Sequence, residues 1–250
     1  MTTSIDALEQ AAARSWRALE SGQLGSWLLR ASDGFTGRAN SALATGDPGL
    51  PLADAIEKVR GWYAERSLPA MIAVPYPLNG PVDSELDRLL TALGWTARTA
   101  AIVMTASTAD VTASAAQNVP GIGFDAEPDV AWLARYRYRG QDLPPIAREL
   151  LTSAPWQAFA SVRADGGTIA IGRVAGAGEW AGLTAIEVDP TRRRQGLGAS
   201  ITTALTRHAA EHGYRNIYLQ VTDENAGARA LYRKLGFTDH HGYHYRVAPT

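Results

Sequence analysis

Residues 186–198 read Ile-Glu-Val-Asp-Pro-Thr-Arg-Arg-Arg-Gln-Gly-Leu-Gly, and this stretch decides the fold. An apolar strand leads into a proline and three arginines, and Gly196 and Gly198 precede an amphipathic segment that extends to His212. A glycine turn that opens a helix presents free backbone N–H groups at the positive end of the helix dipole. Glycines let a diphosphate approach the backbone, and arginines bind phosphate oxygens. The stretch therefore predicts a binding site for a phosphate-bearing cofactor.

Three kinds of phosphate-binding loop compete for this stretch. A nucleoside-triphosphate loop requires a Gly-Lys pair, which the chain lacks. A dinucleotide fingerprint requires a small residue three positions after its second glycine, where this chain has Ile201. The remaining kind, Arg/Gln-x-x-Gly-x-Gly/Ala, matches residues 193–198. This hexapeptide resembles the acetyl-coenzyme A (acetyl-CoA) loop of the GNAT superfamily of N-acetyltransferases.

A second motif lies downstream of the glycine turn. Residues 217–221 alternate between apolar and polar side chains as a strand does. The run from Asn225 through Tyr232 to Phe237 resembles the second GNAT signature. In that family the asparagine helps to hold the cofactor and the tyrosine lies near its sulfur. The two motifs occur in the family's order, and the resemblance covers about residues 120–250.

The resemblance implies where the cofactor binds. In the family the sheet is splayed where the cofactor enters, and the strand before the turn pairs with the pantetheine arm like an added strand. Backbone N–H groups of the turn hold the diphosphate. The implied cofactor-binding residues are Ile186, Val188, Arg193, Arg194, Gln195, Gly196, Leu197, Gly198, Ala199, Asn225 and Tyr232.

Two residues are candidates for proton transfer. The Tyr232 phenol, with an ordinary pKa of about 10, suits protonation of a departing thiolate, although Tyr232 also fits a core aromatic beside Leu231. Glu187 faces away from its apolar neighbours and is the candidate base for an amine acceptor, the alternative being an exposed carboxylate that balances the arginines. Some members of the family carry a glutamate where this chain has Gln220, which cannot act as a base.

Composition excludes several classes of protein. The 250 residues are 46% hydrophobic and 20% charged with a net charge of −1, so a packed core is expected and a nucleic-acid partner is not. The absence of cysteine excludes disulfides, thiol nucleophiles and cysteine–zinc sites. Neither a signal peptide nor a membrane-spanning run is visible, which predicts a cytoplasmic protein without a membrane partner. The richness in Ala, Gly and Arg is typical of a high-GC bacterial genome.

The histidine-rich segment near the C-terminus suggests a metal site only weakly. On a regular strand, His240 and His244 would share one face and His241 the other, and only Asp239 lies nearby as a carboxylate. We therefore expect no metal, and we interpret the segment as a wall of the acceptor pocket or an exposed edge.

The chain divides into two similar halves. Residues 107–119 are small and polar and are predicted to be a linker between a domain at 1–106 and a domain at 120–250. Leu-x-x-x-Leu-Gly followed by an aromatic residue occurs in both halves, at 89–95 and 231–237. The pattern resembles tandem GNAT proteins in which one half is catalytic. It implies an α/β (α+β) fold, with a mixed, mostly antiparallel sheet and flanking helices in each half.

The periodicity predicts the elements of each half. In the N-terminal half the expected helices and strands are helix 4–20, strands near 25–32 and 38–45, helix 51–66, strand 70–74, helix 83–93 and strand 96–105. In the C-terminal half they are helices 126–139 and 144–153, strands 156–163, 168–174 and 180–188, helix 197–212, strand 216–221, helix 225–235 and a closing strand pair within 237–248.

The acceptor site is less well defined by the sequence. The resemblance places it in residues 126–153 and in part of the N-terminal half. The polar, Gly-rich segment 33–40 is either a hairpin turn or a loop that reaches across the cleft between the halves to hold the acceptor through Arg38 and Asn40. Arg135, Arg137 and Arg139 would favour an acidic acceptor, although alternating arginines on a helix are more often solvated.

The combined motifs predict an acyl-CoA-dependent N-acyltransferase. Acetyl-CoA is the expected co-substrate, and the acceptor is a primary amine of a small molecule or a protein N-terminus that attacks the thioester directly in a ternary complex. One alternative is a non-catalytic acyl-CoA sensor or scaffold, in which Tyr232 need not be kept. Another is a dinucleotide-dependent oxidoreductase, which the mismatch at Ile201 disfavours. The sequence leaves the acceptor and the oligomeric state open.

Overall fold

The structure is a computed structural model that describes residues 3–80, 84–113, 121–138 and 140–249. The strands are β1 (Glu20–Leu24), β2 (Trp27–Ala31), β3 (Ala42–Leu43), β4 (Met71–Pro77), β5 (Thr96–Ser107), β6 (Ile122–Asp125), β7 (Trp156–Ala164), β8 (Gly167–Ala177), β9 (Trp180–Val188), β10 (Asn216–Thr222) and β11 (Thr238–Val247). The helices are α1 (Ile5–Ser15), α2 (Leu52–Ala64), α3 (Glu85–Ala92), α4 (Thr108–Ala113), α5 (Val130–Arg135), α6 (Ala147–Leu151), α7 (Leu197–Glu211) and α8 (Ala226–Lys234).

All eleven described strands form one sheet in the order β1-β2-β3-β4-β11-β5-β10-β9-β8-β7-β6. Among these strands only β3 with β4 and β9 with β10 pair in parallel. The expected mixed, mostly antiparallel sheet with flanking helices is confirmed. Each half contributes one parallel pair, and in each half a helix, α2 or α7, connects the two strands of that pair.

The two halves share the sheet by exchanging their last strands. β11, from the C-terminal half, lies between β4 and β5 of the N-terminal half, and β5 in turn pairs with β10. The expected closing strand pair within 237–248 is wrong, since β11 is one continuous strand with a hydrogen-bonded neighbour on each side. No turn is needed within this segment because both of its edges are already paired.

Most elements lie where the periodicity placed them, and the differences have local causes. The helix expected at 4–20 ends at Ser15, because Trp16 leaves the helical conformation with φ −131° and ψ 72°, and β1 follows. The helix expected at 126–139 spans only α5, because Tyr136 is extended at ψ 109°. Part of the expected linker forms α4, with Val111 fully buried, and the rest lies outside the described residues.

Alternating side chains along the strands direct the core to both faces of the sheet. On one face, which we call the α7 face, Leu219 and Val221 of β10 pack with α7 and with Tyr232. On the opposite face, the α1 face, Tyr218 of β10 packs against Leu8 of α1. Helices α5 and α6 join Trp16 and the segment after β2 in a further buried cluster. The two faces of β10 thus meet different layers of the molecule.

Candidate functional site

β9 and β10 diverge at their carboxyl ends. Their parallel pairing ends at Leu183 and Leu219, although β9 continues to Val188 and β10 to Thr222. A bulge at Ala185, whose φ is +52°, shifts the register of β9 against β8 and redirects the end of β9. No described strand pairs with this edge of β9 beyond Leu183. We call the opening between the two strand ends the splayed gap; an extended ligand can pair with its free backbone edge.

The arginine–glycine turn follows the gap directly. Asp189 fixes its start, with its Oδ1 accepting from the Thr191 N–H at 2.9 Å. Gly196, at φ +83°, precedes the first residue of α7, and no side chain caps that helix. The backbone N–H groups of the first turn of α7 therefore stay available. A Cβ at Gly196 would meet nothing within 4 Å, so no neighbouring atom requires a glycine here. Gly196 instead permits the left-handed backbone conformation and leaves the backbone open to a ligand.

The three arginines of the turn differ in their surroundings. Arg192 forms an ion pair with Asp165, whereas Arg193 and Arg194 are exposed and have no ion-pair partner in the described ranges. Arg194 adopts φ +60°, an uncommon conformation for a residue with a side chain. Gln195 is exposed beside them. The turn thus offers unpaired positive charge next to open N–H groups, as an anion site requires.

The start of α7 packs closely on α8. A Cβ at Gly198 would lie 3.3 Å from Leu231 Cδ2, so a side chain there would press against α8. Leu197 is buried, and Ala199 is half-buried next to it. Ile186 and Val188 pack on the same core cluster from the end of β9. The structure thus brings the predicted residues of β9 and of the turn together at the carboxyl end of β9.

Tyr232 belongs to the core on the α7 face. Its side chain is 9% exposed and makes an edge-to-face contact with Phe237 at a centroid distance of 5.9 Å. Burial raises the pKa of Tyr232 to about 12, and its hydroxyl has no hydrogen-bond partner among the described residues. The phenol therefore stays protonated at neutral pH and keeps its donor available.

Asn225 begins α8. Its Oδ1 accepts from the backbone N–H of Ala228 at 3.1 Å, so its carbonyl oxygen acts as the helix cap. Its amide N–H₂ group remains available for a ligand. The structure thus shows a capping role for Asn225 beside the cofactor role that the sequence suggested.

Glu187 faces the α1 side of the sheet, opposite to Ile186 and Val188. Its carboxylate accepts from the backbone N–H of Arg137, at 3.1 and 3.2 Å for its two oxygens. Burial raises the pKa of Glu187, and the N–H group of Arg137 partly opposes that shift. Glu187 is half-buried rather than an exposed counter-ion, and it is a carboxylate with increased basicity at the rim of the splayed gap.

The α1 side of the gap contains a contact between the two halves. Arg38 donates through Nη1 to Gln220 Oε1 at 2.8 Å, and Gln220 is the first residue of β10 beyond its pairing with β9. Segment 33–40 therefore reaches the gap from the N-terminal half. Asn40 has another role, because its side chain accepts from the N–H groups of Ser32 and Gly34 and holds the loop itself in shape.

Residues of the expected acceptor region border a cleft of about 500 Å³ between α5 and α6. Tyr136 and Arg137, which adjoin Glu187, line this cleft together with apolar side chains. Arg135 is paired with Asp189 and Arg137 with Asp142, so both charges are largely compensated. Arg135 and Arg137 therefore do not make the cleft strongly cationic, and Arg139, the third arginine of the prediction, lies outside the described residues.

The C-terminal histidines lie on different faces from those expected. A bulge between Asp239 and His241 interrupts the alternation of β11. As a result His240 and His241 contact each other, with 2.7 Å between their Nδ1 atoms, while His244 lies on the other face against Asp87. His241 is fully buried and bonded to Glu9, so it is not on an exposed edge.

Sequence reasoning missed the features that shape the gap. The bulge at Ala185 has no sequence signal, since alanine rarely adopts a positive φ. The positions of Trp16 and Tyr136 beside the gap were not predicted either. Large aromatic residues next to polar segments could have indicated the wall of a binding site. In the described ranges, no group of three or more His, Cys, Asp or Glu side chains is arranged to hold a metal ion. None of the described helices has the length and apolar character that a membrane crossing requires.

These residues fit acetyl-CoA. A strand edge without a described neighbour, two glycines, the first N–H groups of α7 and two arginines without an ion-pair partner in the described ranges follow one another along the rim of the gap. The strand edge can pair with the amides of a pantetheine arm, and the turn can bind a diphosphate. From the α7 face, Tyr232 adds a hydroxyl for which the described residues offer no hydrogen-bond partner.

Comparison with known proteins agrees with this geometry. Residues 2–246 match the family model described as "Probable histone acetyltransferase Rv0428c C-terminal". An uncharacterized N-acetyltransferase, YobR of Bacillus subtilis, is 27% identical over 97% of this chain and 98% of its own length. The probable histone acetyltransferase Rv0428c of Mycobacterium tuberculosis is 30% identical over 99% of this chain and 74% of its own.

A solved structure shares the architecture of the whole chain. It is a tandem GNAT protein from the clavulanic acid biosynthesis pathway, which superposes with a TM-score of 0.65 at 14% sequence identity. The match covers 84% of this chain and 76% of that protein. At this level of identity the likeness concerns the fold, and it agrees with the arrangement of two halves around one sheet.

Proposed function

The chain belongs to the GNAT acetyltransferase family defined by the C-terminal region of Rv0428c, and from this premise we propose that it transfers an acetyl group from acetyl-CoA to a primary amine. The observation that carries this proposal is the splayed gap between β9 and β10, which opens beside the arginine–glycine turn. An acceptor amine that enters from the α1 side meets the thioester at the gap without crossing the core.

The donor is proposed to be held by three parts of the chain. Residues 186–188 pair with the pantetheine arm, the turn at 193–199 binds the diphosphate, and the amide of Asn225 adds a hydrogen bond. Bound acetyl-CoA supplies the activated acetyl group, and backbone N–H groups near Val188 polarise its carbonyl. Holding both reactants side by side supplies much of the rate.

Glu187 and Tyr232 are proposed to move the protons. The amine nitrogen forms a bond to the acetyl carbon while the carbon–sulfur bond breaks. Glu187 receives the proton that the amine loses, because burial increases its basicity on the acceptor side. Tyr232 gives its proton to the departing thiolate from the opposite face, because its raised pKa keeps it protonated.

The test is release of free CoA from acetyl-CoA in the presence of a panel of primary amines. Because the chain has no cysteine, a thiol reagent reports CoA without background from the protein. We expect Tyr232→Phe to lower kcat by about 100-fold with little change in acetyl-CoA affinity. Tyr214→Phe, a matched change at a half-buried tyrosine on the loop before β10, should leave kcat unchanged.

The same assay tests Glu187 through its pH dependence. A base must be ionised, so activity should fall as pH decreases through the raised pKa of Glu187, above the ordinary glutamate value of about 4.3. Glu187→Gln should remove this acidic limb and lower kcat. Tight acetyl-CoA binding with no release of CoA for any amine would contradict the transferase and favour a sensor.

A further inference from the structure

Three arginine side chains enter the interior on the α1 side of the splayed gap. Arg30 donates to the carbonyl and the hydroxyl oxygen of Ser41, both at 2.9 Å. Arg173 is fully buried and donates to the carbonyl oxygens of Leu151, at 2.7 Å, and Ser15, at 3.3 Å. These two guanidinium groups hold neighbouring backbone segments in place, and their N–H groups donate hydrogen bonds to neutral oxygen atoms of the protein.

Arg38 differs from the other two. Within the described ranges its one hydrogen bond goes to Gln220, and its guanidinium carbon lies 4.8 Å from the centre of the Trp16 ring. A guanidinium has five N–H donors, so most of its donors remain for a ligand. No described carboxylate pairs with it, and Glu9, which borders the same cavity, is bonded to His241 at 2.8 Å. Arg38 is half-buried, so its guanidinium is partly shielded from water and its remaining N–H donors favour an anionic partner.

The segment that carries Arg38 is strained and firmly held. Thr36, a β-branched residue, adopts φ +64°, and its hydroxyl accepts from Trp16 Nε1 at 3.2 Å. The Asn40 amide donates to the carbonyl oxygens of Phe35, at 2.7 Å, and Thr36, at 2.9 Å. Such strain persists only where the surroundings over-determine it, and it concentrates at ligand sites. Arg38 is therefore fixed in place before any ligand binds.

Arg38 also lies where the acceptor must approach. Its partner Gln220 marks the point at which β10 leaves β9, on the side opposite to α7. Tyr136 packs in the same buried cluster as Trp16, whose ring lies next to Arg38, and the neighbouring Arg137 donates its backbone N–H to Glu187. The cavity beside Arg38, about 10 Å³, accepts a single water-sized group such as one carboxylate oxygen.

We propose that Arg38 binds a carboxylate of the acceptor, which makes the acceptor a small amino-acid-like molecule with both an amine and a carboxylate. This inference rests on the proposed acetyl transfer to amines. A guanidinium donates strong, charge-assisted hydrogen bonds to a carboxylate oxygen, whereas a polyamine or another polycation would be repelled by a positive side chain that has no counter-ion among the described residues. The N-terminal half thus contributes acceptor specificity to a reaction whose donor site lies in the C-terminal half.

The experiment compares free amino acids of graded size with their own carboxamides and with spermidine. Each compound is tested for CoA release from acetyl-CoA and, by calorimetry, for binding to the protein saturated with CoA. We expect each carboxylate to exceed its amide at least tenfold in kcat/KM or in affinity. Arg38→Met should abolish that preference, and Arg38→Lys should keep part of it.

Arg60→Met, which removes an exposed arginine from α2, is the matched control and should keep the full preference. Thermal unfolding and acetyl-CoA affinity of the Arg38 variants show that they fold and keep the donor site. The inference is overturned if amides or spermidine equal the carboxylates, if Arg38→Met keeps the preference, or if no carboxylate binds or reacts. Acetylation of amines without a carboxylate preference would leave the proposed transferase intact, whereas failure to bind acetyl-CoA would remove that function itself.

Discussion

The two halves of the molecule place a glycine turn at the same point of a similar topology, yet the two turns differ. In the C-terminal half the turn exposes Arg193, Arg194 and the open N–H groups of α7. In the N-terminal half the turn is Gly46-Asp47-Pro48-Gly49, and the Asp47 carboxylate accepts from the Gly49 N–H at 2.8 Å. The Asp47 carboxylate thus already accepts the hydrogen bond of a backbone N–H group that a bound phosphate would need.

The strands in front of the two turns differ as well. β3 is only two residues long, and the N–H of Ala44 donates to the carbonyl oxygen of Ala73 at 3.2 Å, which continues the pairing up to the turn. The backbone of Asp47 also accepts from Ser26 at 2.7 Å, so the β1–β2 hairpin covers the turn. The two halves thus share a topology, and the bulge and the positive charges occur at only one of these two turns, where we propose that the cofactor binds.

Separating the halves should have the largest effect. Residues 107–250 alone lose β5, which pairs with both β10 and β11, and they also lose β4 on the other side of β11. We expect this fragment to show no cooperative thermal unfolding by circular dichroism, because β10 would lose one neighbour and β11 both of its neighbours. Co-expression with residues 1–106 should restore a folded complex. A fragment 107–250 that folds by itself and binds acetyl-CoA would show that the halves are independent.

A smaller effect is expected where the N-terminal half supports the exchanged strand. Asp87 of α3 accepts from His244 Nε2 at 2.6 Å and from Arg246 Nη2 at 2.6 Å, both on β11. Asp87→Asn should lower the free energy of unfolding by about 3 kcal/mol, since it leaves a partly buried arginine without its charge partner. Glu85→Gln, at an exposed site two residues earlier in the same helix, should cost less than about 1 kcal/mol.

The ion pairs of Asp87 also imply that the stability of the protein depends on pH. Burial alone would raise the pKa of Asp87, but hydrogen bonds from Arg246 and His244 outweigh it and lower the pKa. The stabilisation is therefore present above the ordinary aspartate pKa of about 3.9 and is lost as pH falls through the lowered value. Urea unfolding between pH 3 and pH 7 should show this loss in the wild type and a flatter profile in Asp87→Asn. Acetyl-CoA affinity at neutral pH should not differ between them.

The turns themselves can be compared by matched substitutions. Gly196 and Gly49 both have a positive φ just before a helix, at +83° and +74°. Gly196→Glu adds strain and a negative charge where we propose that the diphosphate binds, so acetyl-CoA affinity should fall by about 100-fold. Gly49→Glu adds the same strain in the other half and should leave that affinity unchanged. Equal losses in both variants would indicate a general effect of strain rather than a site at one turn.

Much of the C-terminal half could be predicted because its signals are local. The alternation of β10, the apolar face of α7 and the glycine before it each depend on neighbouring residues, and these elements lie where expected. The exchange of β5 and β11 could not be predicted. The residues that pair between these strands lie more than a hundred positions apart in the sequence, and the alternation of side chains along each strand is compatible with either order of the strands in the sheet. Periodicity defines a strand but does not identify its neighbour.

The candidate site likewise has local features that the sequence predicts and long-range features that it does not. The turn at 193–198 could be predicted from the sequence because its chemistry depends on residue type alone: arginines supply positive charge, and glycines leave the backbone open. The splayed gap depends on Ala185, whose backbone conformation no local propensity predicts. The contact of Arg38 with Gln220 links positions from different halves. An unusually polar, Gly-rich loop indicated that segment 33–40 matters, but only the fold shows what it reaches.

The number of acetyl-CoA molecules bound per chain tests the central claim most directly, because two similar frames contain only one proposed site. Calorimetric titration of the full chain with acetyl-CoA should give one molecule per chain in the wild type and in Gly49→Glu, and no measurable binding at the same concentrations in Gly196→Glu. Two molecules per chain, or one molecule that still binds Gly196→Glu with wild-type affinity, would contradict the account.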